Sequence, residues 1–183
     1  ENLQRILSSP TAIYSPAVSV DGRRVAYSIR EAGGKIVLRE RNLASGQDRL
    51  ISSRGALSYT PPSTPDGKRL AFAFDVGGGI EVHDYNLERN CCVRRITKGP
   101  REDMMPSYSP DGKQLVFGST RLGQAHIFII SAEGGNATQL TPYAYGERIK
   151  FVGPDWSPTG NEILFYGESK GGFHIMIADP GRR

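Results

Sequence analysis

A chain of 183 residues is long enough for one sizeable core, and its 22 glycines and 12 prolines, with only 38% apolar residues, point to many turns between short elements. No run approaches the roughly 18 apolar residues of a membrane-spanning helix, no charged-then-apolar opening marks a retained signal peptide, and no window carries a convincing helical period. The net charge is +4, but Lys and Arg alternate with Asp and Glu and cluster only as Arg23-Arg24 and Arg94-Arg95, so the basic stripe of a nucleic-acid binder is absent.

In chain order, residues 1–10 hold Arg5-Ile6-Leu7, similar to Arg95-Ile96-Thr97 further on. The first full unit, 11–52, carries Pro16-Ala17-Val18-Ser19-Val20-Asp21-Gly22 and then Val25-Ala26-Tyr27. The phrase returns in 53–98 as Pro61-Pro62-Ser63-Thr64-Pro65-Asp66-Gly67 before Leu70-Ala71-Phe72. In 99–142 it is Pro106-Ser107-Tyr108-Ser109-Pro110-Asp111-Gly112 before Leu115-Val116-Phe117, and in 143–183 it is Pro154-Asp155-Trp156-Ser157-Pro158-Thr159-Gly160 before Ile163-Leu164-Phe165. The turn glycines fall at 22, 67, 112 and 160, at intervals of 45, 45 and 48. Proline presets the turn, Asp caps it, and Gly takes the positive-φ corner.

Each unit then has a second β-rich run: Ile36-Val37-Leu38, Ile80-Glu81-Val82, Ile127-Phe128-Ile129-Ile130 and Ile175-Met176-Ile177. In the first three units a polar turn and a short strand follow, ending in Leu50-Ile51, Ile96-Thr97 or Leu140-Thr141. Four short strands per unit of this period define a β-propeller blade. The expected fold is therefore all-β, one domain over 1–183, with four four-stranded blades. Ile6 precedes Gly22 by the same 16 residues that separate Ile96 from Gly112. Residues 1–10 are thus expected to be the outer strand that completes the last blade and hides two edges. The alternative is a portion of a six- to eight-bladed ring.

These phrases, together with Ile-aromatic-Ile, Gly-Gly and Leu-Thr in the third unit, resemble the TolB-type β-propeller repeat over essentially the whole chain. The third unit matches almost throughout. The first two are looser, with Val20 at the turn proline and Ser63 at the aromatic position. The resemblance implies a periplasmic or cell-surface setting and a scaffold that binds proteins. Related repeats also occur in peptidase propellers, where they filter access to a separate catalytic domain, so a substrate-gating domain of a larger hydrolase and a small-ligand binder stand as alternatives.

There is no Cys/His metal spacing, and neither a catalytic residue nor a cofactor is expected. Asp21, Asp66 and Asp111 read as turn residues, one per blade and too far apart for paired acid–base work. His126 and His174 share a repeat position and are expected as solvated strand-edge residues. Adjacent Cys91 and Cys92 are expected as one buried and one exposed thiol, with a strained vicinal disulfide or an intermolecular link as the alternatives. Val18, Tyr108 and Trp156 share a repeat position suited to blade-to-blade packing. Asn136-Ala137-Thr138 fits a glycosylation sequon and also a Gly-Gly-Asn turn.

What varies between units is the set of loops opposite the uniform turns: 52–60, 98–105 and 142–153 between blades, with shorter loops within them. Loops on a rigid scaffold carry binding, and Tyr, Arg and Met are enriched at hot spots. The candidate partner-binding residues are Tyr59, Arg101, Asp103, Met104, Arg121, Tyr143, Tyr145, Arg148 and Lys150.

Overall fold

Three of the four recurring turns close on themselves through the same three bonds. The Ser19 hydroxyl donates to Asp21 Oδ1 (2.5 Å) and accepts the Arg24 N–H (3.0 Å), while Asp21 Oδ1 accepts the Arg23 N–H (3.1 Å). Thr64–Asp66 and Ser109–Asp111 repeat the pattern at 2.5 and 2.6 Å, and in the fourth copy the Ser157 and Thr159 hydroxyls pair at 3.1 Å. Gly22, Gly67 and Gly112 sit at φ 67°, 67° and 69°, where a side chain would be strained. The aspartates are turn builders, as their sequence context implied.

A computed structural model describes residues 3–53, 64–99, 101–141 and 150–181. Among these described residues, fourteen strands run between the turns: β1 (Ile13–Val18), β2 (Arg24–Arg30), β3 (Ile36–Asn42), β4 (Asp48–Ser52), β5 (Arg69–Asp75), β6 (Ile80–Asn86), β7 (Cys91–Arg95), β8 (Asp103–Tyr108), β9 (Gln114–Ser119), β10 (His126–Ser131), β11 (Thr138–Gln139), β12 (Lys150–Trp156), β13 (Ile163–Ser169) and β14 (Gly172–Ala178). They pair antiparallel as four sheets, β1-β2-β3-β4, β5-β6-β7, β8-β9-β10-β11 and β12-β13-β14, one blade per repeat unit. The inner strand expected near residues 61–63 lies outside the described residues.

Blades 1, 3 and 4 share a kink in the inner strand. Ser15, Met105 and Gly153, one per unit, have φ of 50°, 53° and 62°, and the register shifts at each. An extra residue there bends the strand. At Gly153 a Cβ would come within 2.8 Å of the Tyr166 ring, so glycine is required twice over.

The core lies between blades. Ala26, Leu38 and Ile51 of blade 1 meet Leu70, Phe72, Phe74 and Tyr85 of blade 2. Ala71, Val82 and Ile96 meet Tyr108, Leu115, Phe117 and Phe128 of blade 3. Val116 and Ile127 meet Phe151, Trp156, Ile163 and Phe165 of blade 4. Each blade thus offers small or aliphatic side chains on one face and aromatics on the other, so large residues interdigitate with small ones. Tyr108 and Trp156 take the packing role expected of them, whereas Val18 is exposed.

Two expectations are corrected. Residues 3–12 form no strand, and among the described residues β14 pairs with β13 alone, so residues 3–10 do not complete blade 4. The spacing from Ile6 to Gly22 marks an outer-strand position but says nothing about which blade it joins, because every unit in a ring or an open run is preceded by such a segment. The arrangement is open, in keeping with the partial-ring alternative. The cysteines are not separate thiols: Cys91 and Cys92 are disulfide-bonded. Alternation fails there because Cys92 has φ 70° and the β6–β7 register slips between Tyr85 and Asn86.

Candidate functional site

The loop face is most fully built where blade 2 meets blade 3. The segment entering β8 is stitched down by backbone bonds. The Ile80 N–H donates to Arg101 O (3.1 Å), Ile80 and Glu102 form a parallel bridge, and the Thr120 N–H donates to Glu102 O (3.0 Å). This fixes Arg101 and Glu102 in solvent while placing Asp103 inside, where only 3% of it is exposed. A buried carboxylate must be paired. Asp103 accepts the Ser119 hydroxyl (2.5 Å) and, through both oxygens, Arg121 Nη2 (3.0 Å each). The Arg121 guanidinium also lies over the rings of Phe117 (5.1 Å) and Phe128 (4.7 Å), which holds a cation rigidly at the surface.

Beside it, Glu81 is 2% exposed, ion-paired with Arg95 and within reach of the Gly99 N–H. His83 is buried with its ring 4.1 Å from Phe74, and its Nδ1 lies 3.2 Å from Glu81 O. Burial holds its pKa below the usual imidazole value, and the same cause lowers that of His126. His126 is not the solvated strand-edge residue expected. It is 6% exposed, with Nδ1 3.1 Å from Thr141 Oγ1 and 3.2 Å from Gln139 Nε2, because blade 4 lays Phe151 against it. His174, at the same repeat position, is exposed. Among the described residues no three His, Cys, Asp or Glu side chains are grouped to hold a metal, and no helix is long and apolar enough to cross a membrane.

Of the nine sequence candidates, the fold brings Arg101, Asp103, Met104 and Arg121 together at this junction. Asp103 and Met104 belong to β8 and Lys150 to β12, not to the loops in which their sequence position placed them. Tyr59, Tyr143, Tyr145 and Arg148 lie outside the described residues. Ser119 and the Glu81–Arg95 pair were missed. Glu81 had a signal, a lone charge in an apolar run where the first unit has Val37; Ser119 had none. Val76 and Leu122, each 41% exposed, add apolar surface on the same rim.

Radially repeated antiparallel blades, packed aromatic on aliphatic with variable loops on one face, define a β-propeller repeat domain. The chain belongs to the TolB β-propeller domain family, whose model matches residues 1–183. It is similar to the crystal structure of TolB from Acinetobacter baumannii, with 27% identity and a TM-score of 0.77 over 95% of this chain and 42% of that one. A putative TolB from Agrobacterium tumefaciens matches at 19% identity and a TM-score of 0.73, over 96% of this chain and 79% of that one. The fold is shared with an oligogalacturonate lyase from Vibrio parahaemolyticus (14% identity, TM-score 0.73, 96% of this chain and 52% of that one). It is shared too with a puromycin-hydrolyzing peptidase from Mycobacterium tuberculosis (16% identity, TM-score 0.74, 93% and 30%). No curated protein matches the chain.

Proposed function

We propose that this chain is a non-catalytic docking module of the cell envelope, periplasmic or surface-exposed, that takes a protein partner on its loop face. The observation that carries the reading is the Arg121–Asp103 pair. A cation clamped by a buried carboxylate and two aromatic rings, next to exposed Arg101 and Leu122, is a preorganised contact that loses little entropy on binding. The groups around it are paired for structure. Asp103 and Glu81 hold arginines, His83 and His126 are buried with their pKa values lowered, and the exposed His174, 3.3 Å from the Ser169 hydroxyl, belongs to β14 of blade 4 and not to this junction. Tyr59, Tyr143, Tyr145, Arg148 and Lys150 join the proposal as further partner contacts on their residue types and sequence position alone. The family setting supports the envelope assignment.

The test is capture from periplasmic and outer-membrane extracts by the immobilised chain, compared with Arg101→Glu and with a Tyr143→Ala, Tyr145→Ala, Arg148→Ala triple variant. Specific capture that falls at least tenfold in the variants, at unchanged melting temperature, is expected. Equal capture by all three proteins would refute the face.

A further inference from the structure

The bridge between Cys91 and Cys92 sits in a hairpin that another blade closes without one. In blade 1 the β3–β4 turn runs from Asn42 to Gln47, with Gly46 at φ 69° and the Asn42 N–H donating to Gln47 O (2.9 Å), and the next pair is Arg41 with Asp48. In blade 2 the β6–β7 turn runs from Asn86 to Cys91, with Asn90 at φ 53° in the place of Gly46, but the next pair is Tyr85 with Val93. Cys92 is thus one extra residue, a bulge at φ 70° that the blade 1 hairpin does without.

Nor does the bond staple the fold. A disulfide stabilises by closing a loop of chain, more for longer loops, and this one joins neighbours within β7. The strand is held instead by two charged clamps that use no sulfur. Arg49, which shares the buried Glu40 with Arg24, donates to Asn90 Oδ1 (2.6 Å), as does the Tyr85 hydroxyl (2.8 Å). Arg94, which shares the fully buried Asp84 with Arg69, donates to Ala132 O of blade 3 (2.7 Å). The hairpin therefore keeps its place when the sulfurs part. The bond is also reachable, because Cys92 is exposed and Cys91 half-buried. Exposed disulfides are the labile ones, open to an incoming thiolate.

We propose that Cys91–Cys92 is a reversible thiol–disulfide exchange site whose co-substrate is an external thiol. The incoming thiolate attacks Cys92 Sγ, the exposed sulfur. The bond between the two cysteines breaks, Cys92 forms a mixed disulfide with the incoming sulfur, and Cys91 leaves as a thiolate that takes a proton from water. A second thiolate attacks the incoming sulfur of the mixed disulfide, and Cys92 leaves in its turn and is protonated. Two external thiols are oxidised to their disulfide while the pair is reduced to two thiols, an exchange of two electrons. Run backward, the reduced pair returns those electrons to an external disulfide. The site stands independently of the docking reading.

Cys91 and Cys92 are the only cysteines, so every thiol formed reports on this pair. The whole chain, without denaturant, is incubated with millimolar glutathione in one arm and with excess reduced thioredoxin in the other, quenched with iodoacetamide and weighed intact. A gain of two carbamidomethyl groups, or of one with one glutathione, is expected within minutes to hours in at least one arm. The arm that reacts tells a small thiol from a protein dithiol as co-substrate. The opened chain should melt within about 4 °C of the bridged one, and oxidised glutathione should close the bond again. Cys91→Ser should take up glutathione from its oxidised form several times faster than Cys92→Ser, since the sulfur at 92 is the accessible one. The proposal is overturned by alkylation only after denaturant is added, by a larger fall in melting temperature, or by equal rates in the two variants.

Discussion

At the turn, one hydroxyl does two jobs. Ser109 donates to Asp111 and accepts the Gln114 N–H, and that donation, followed by the Lys113 N–H, holds the Asp111 carboxyl below its usual pKa. Ser109→Ala leaves the Gln114 N–H to find water at a part-buried site and removes the carboxylate's donor. The expected loss is about 1–2 kcal/mol, read as a lower urea midpoint at unchanged slope. Both exposed and buried aspartates were legible as turn or pair residues only where a neighbour in sequence explained them. Asp111 has Ser109 and Gly112 beside it; Asp103 is explained by Ser119 and Arg121, which sit sixteen and eighteen residues away and come close only through strand pairing.

The buried histidines make stability depend on pH in a definite direction. Burial lowers the folded pKa of His83 and His126 below the unfolded value near 6.5, so the unfolded chain binds more protons in that window. Stability is complete above about pH 6.5 and is lost as pH falls through it. Melting temperature should be flat from about pH 8 to 7 and fall between about 6.5 and 5. His83→Phe keeps the ring against Phe74 and should flatten part of the fall, leaving the share of His126. A melting temperature no lower at pH 5.5 than at pH 7.5 would show that neither ring is held neutral.

At the scale of strands, the blade junctions show which parts of a repeat the fold needs and which it exchanges. The aliphatic-on-aromatic seam recurs in all three junctions; the charged clamp recurs in two. Asp84 with Arg69 and Arg94 is replaced in blade 3 by Ile129 with Gln114 and Thr138, a substitution of a buried ion triad by an apolar contact. Such swaps are often neutral when complete and costly when partial. Asp84→Ile alone should cost about 3 kcal/mol, since two arginines lose their carboxylate. Adding Arg69→Gln and Arg94→Thr should recover part of that loss, a coupling that denaturant titration of all combinations would resolve. Recovery of nothing would mean the clamp is specific to its own junction. The repeat was readable from turn glycines and apolar triplets because those positions answer to local geometry. The clamp was not, because its partners lie ten, fifteen and thirty-nine residues apart.

For the molecule as a whole, the two outer flanks differ in kind. On blade 1, Arg39 and Arg41 stand where blade 2 has His83 and Tyr85, paired with Glu31 and Asp48 at 2.7 Å each and roofing Val25 and Tyr27. Burial and Asp48 push the Tyr27 hydroxyl up to about 12. On blade 4, Leu164, Ile175 and Ile177 occupy the register of Val116, Ile127 and Ile129, which blade 4 itself covers, and they are 47%, 82% and 62% exposed. A polar roof and a bare apolar face do not complement each other, which is why the repeat phase alone, blind to side-chain character, favoured a closure that the flanks do not support. Phe173, at 77% exposure, extends the bare face, and β14 has an unpaired edge among the described residues. Such a surface self-associates when nothing covers it. The 183-residue chain should therefore sediment as a concentration-dependent mixture, and Ile175→Lys with Ile177→Glu should return it to monomer at little cost in melting temperature, because neither side chain is buried. Identical sedimentation of variant and parent would show that contacts elsewhere govern association.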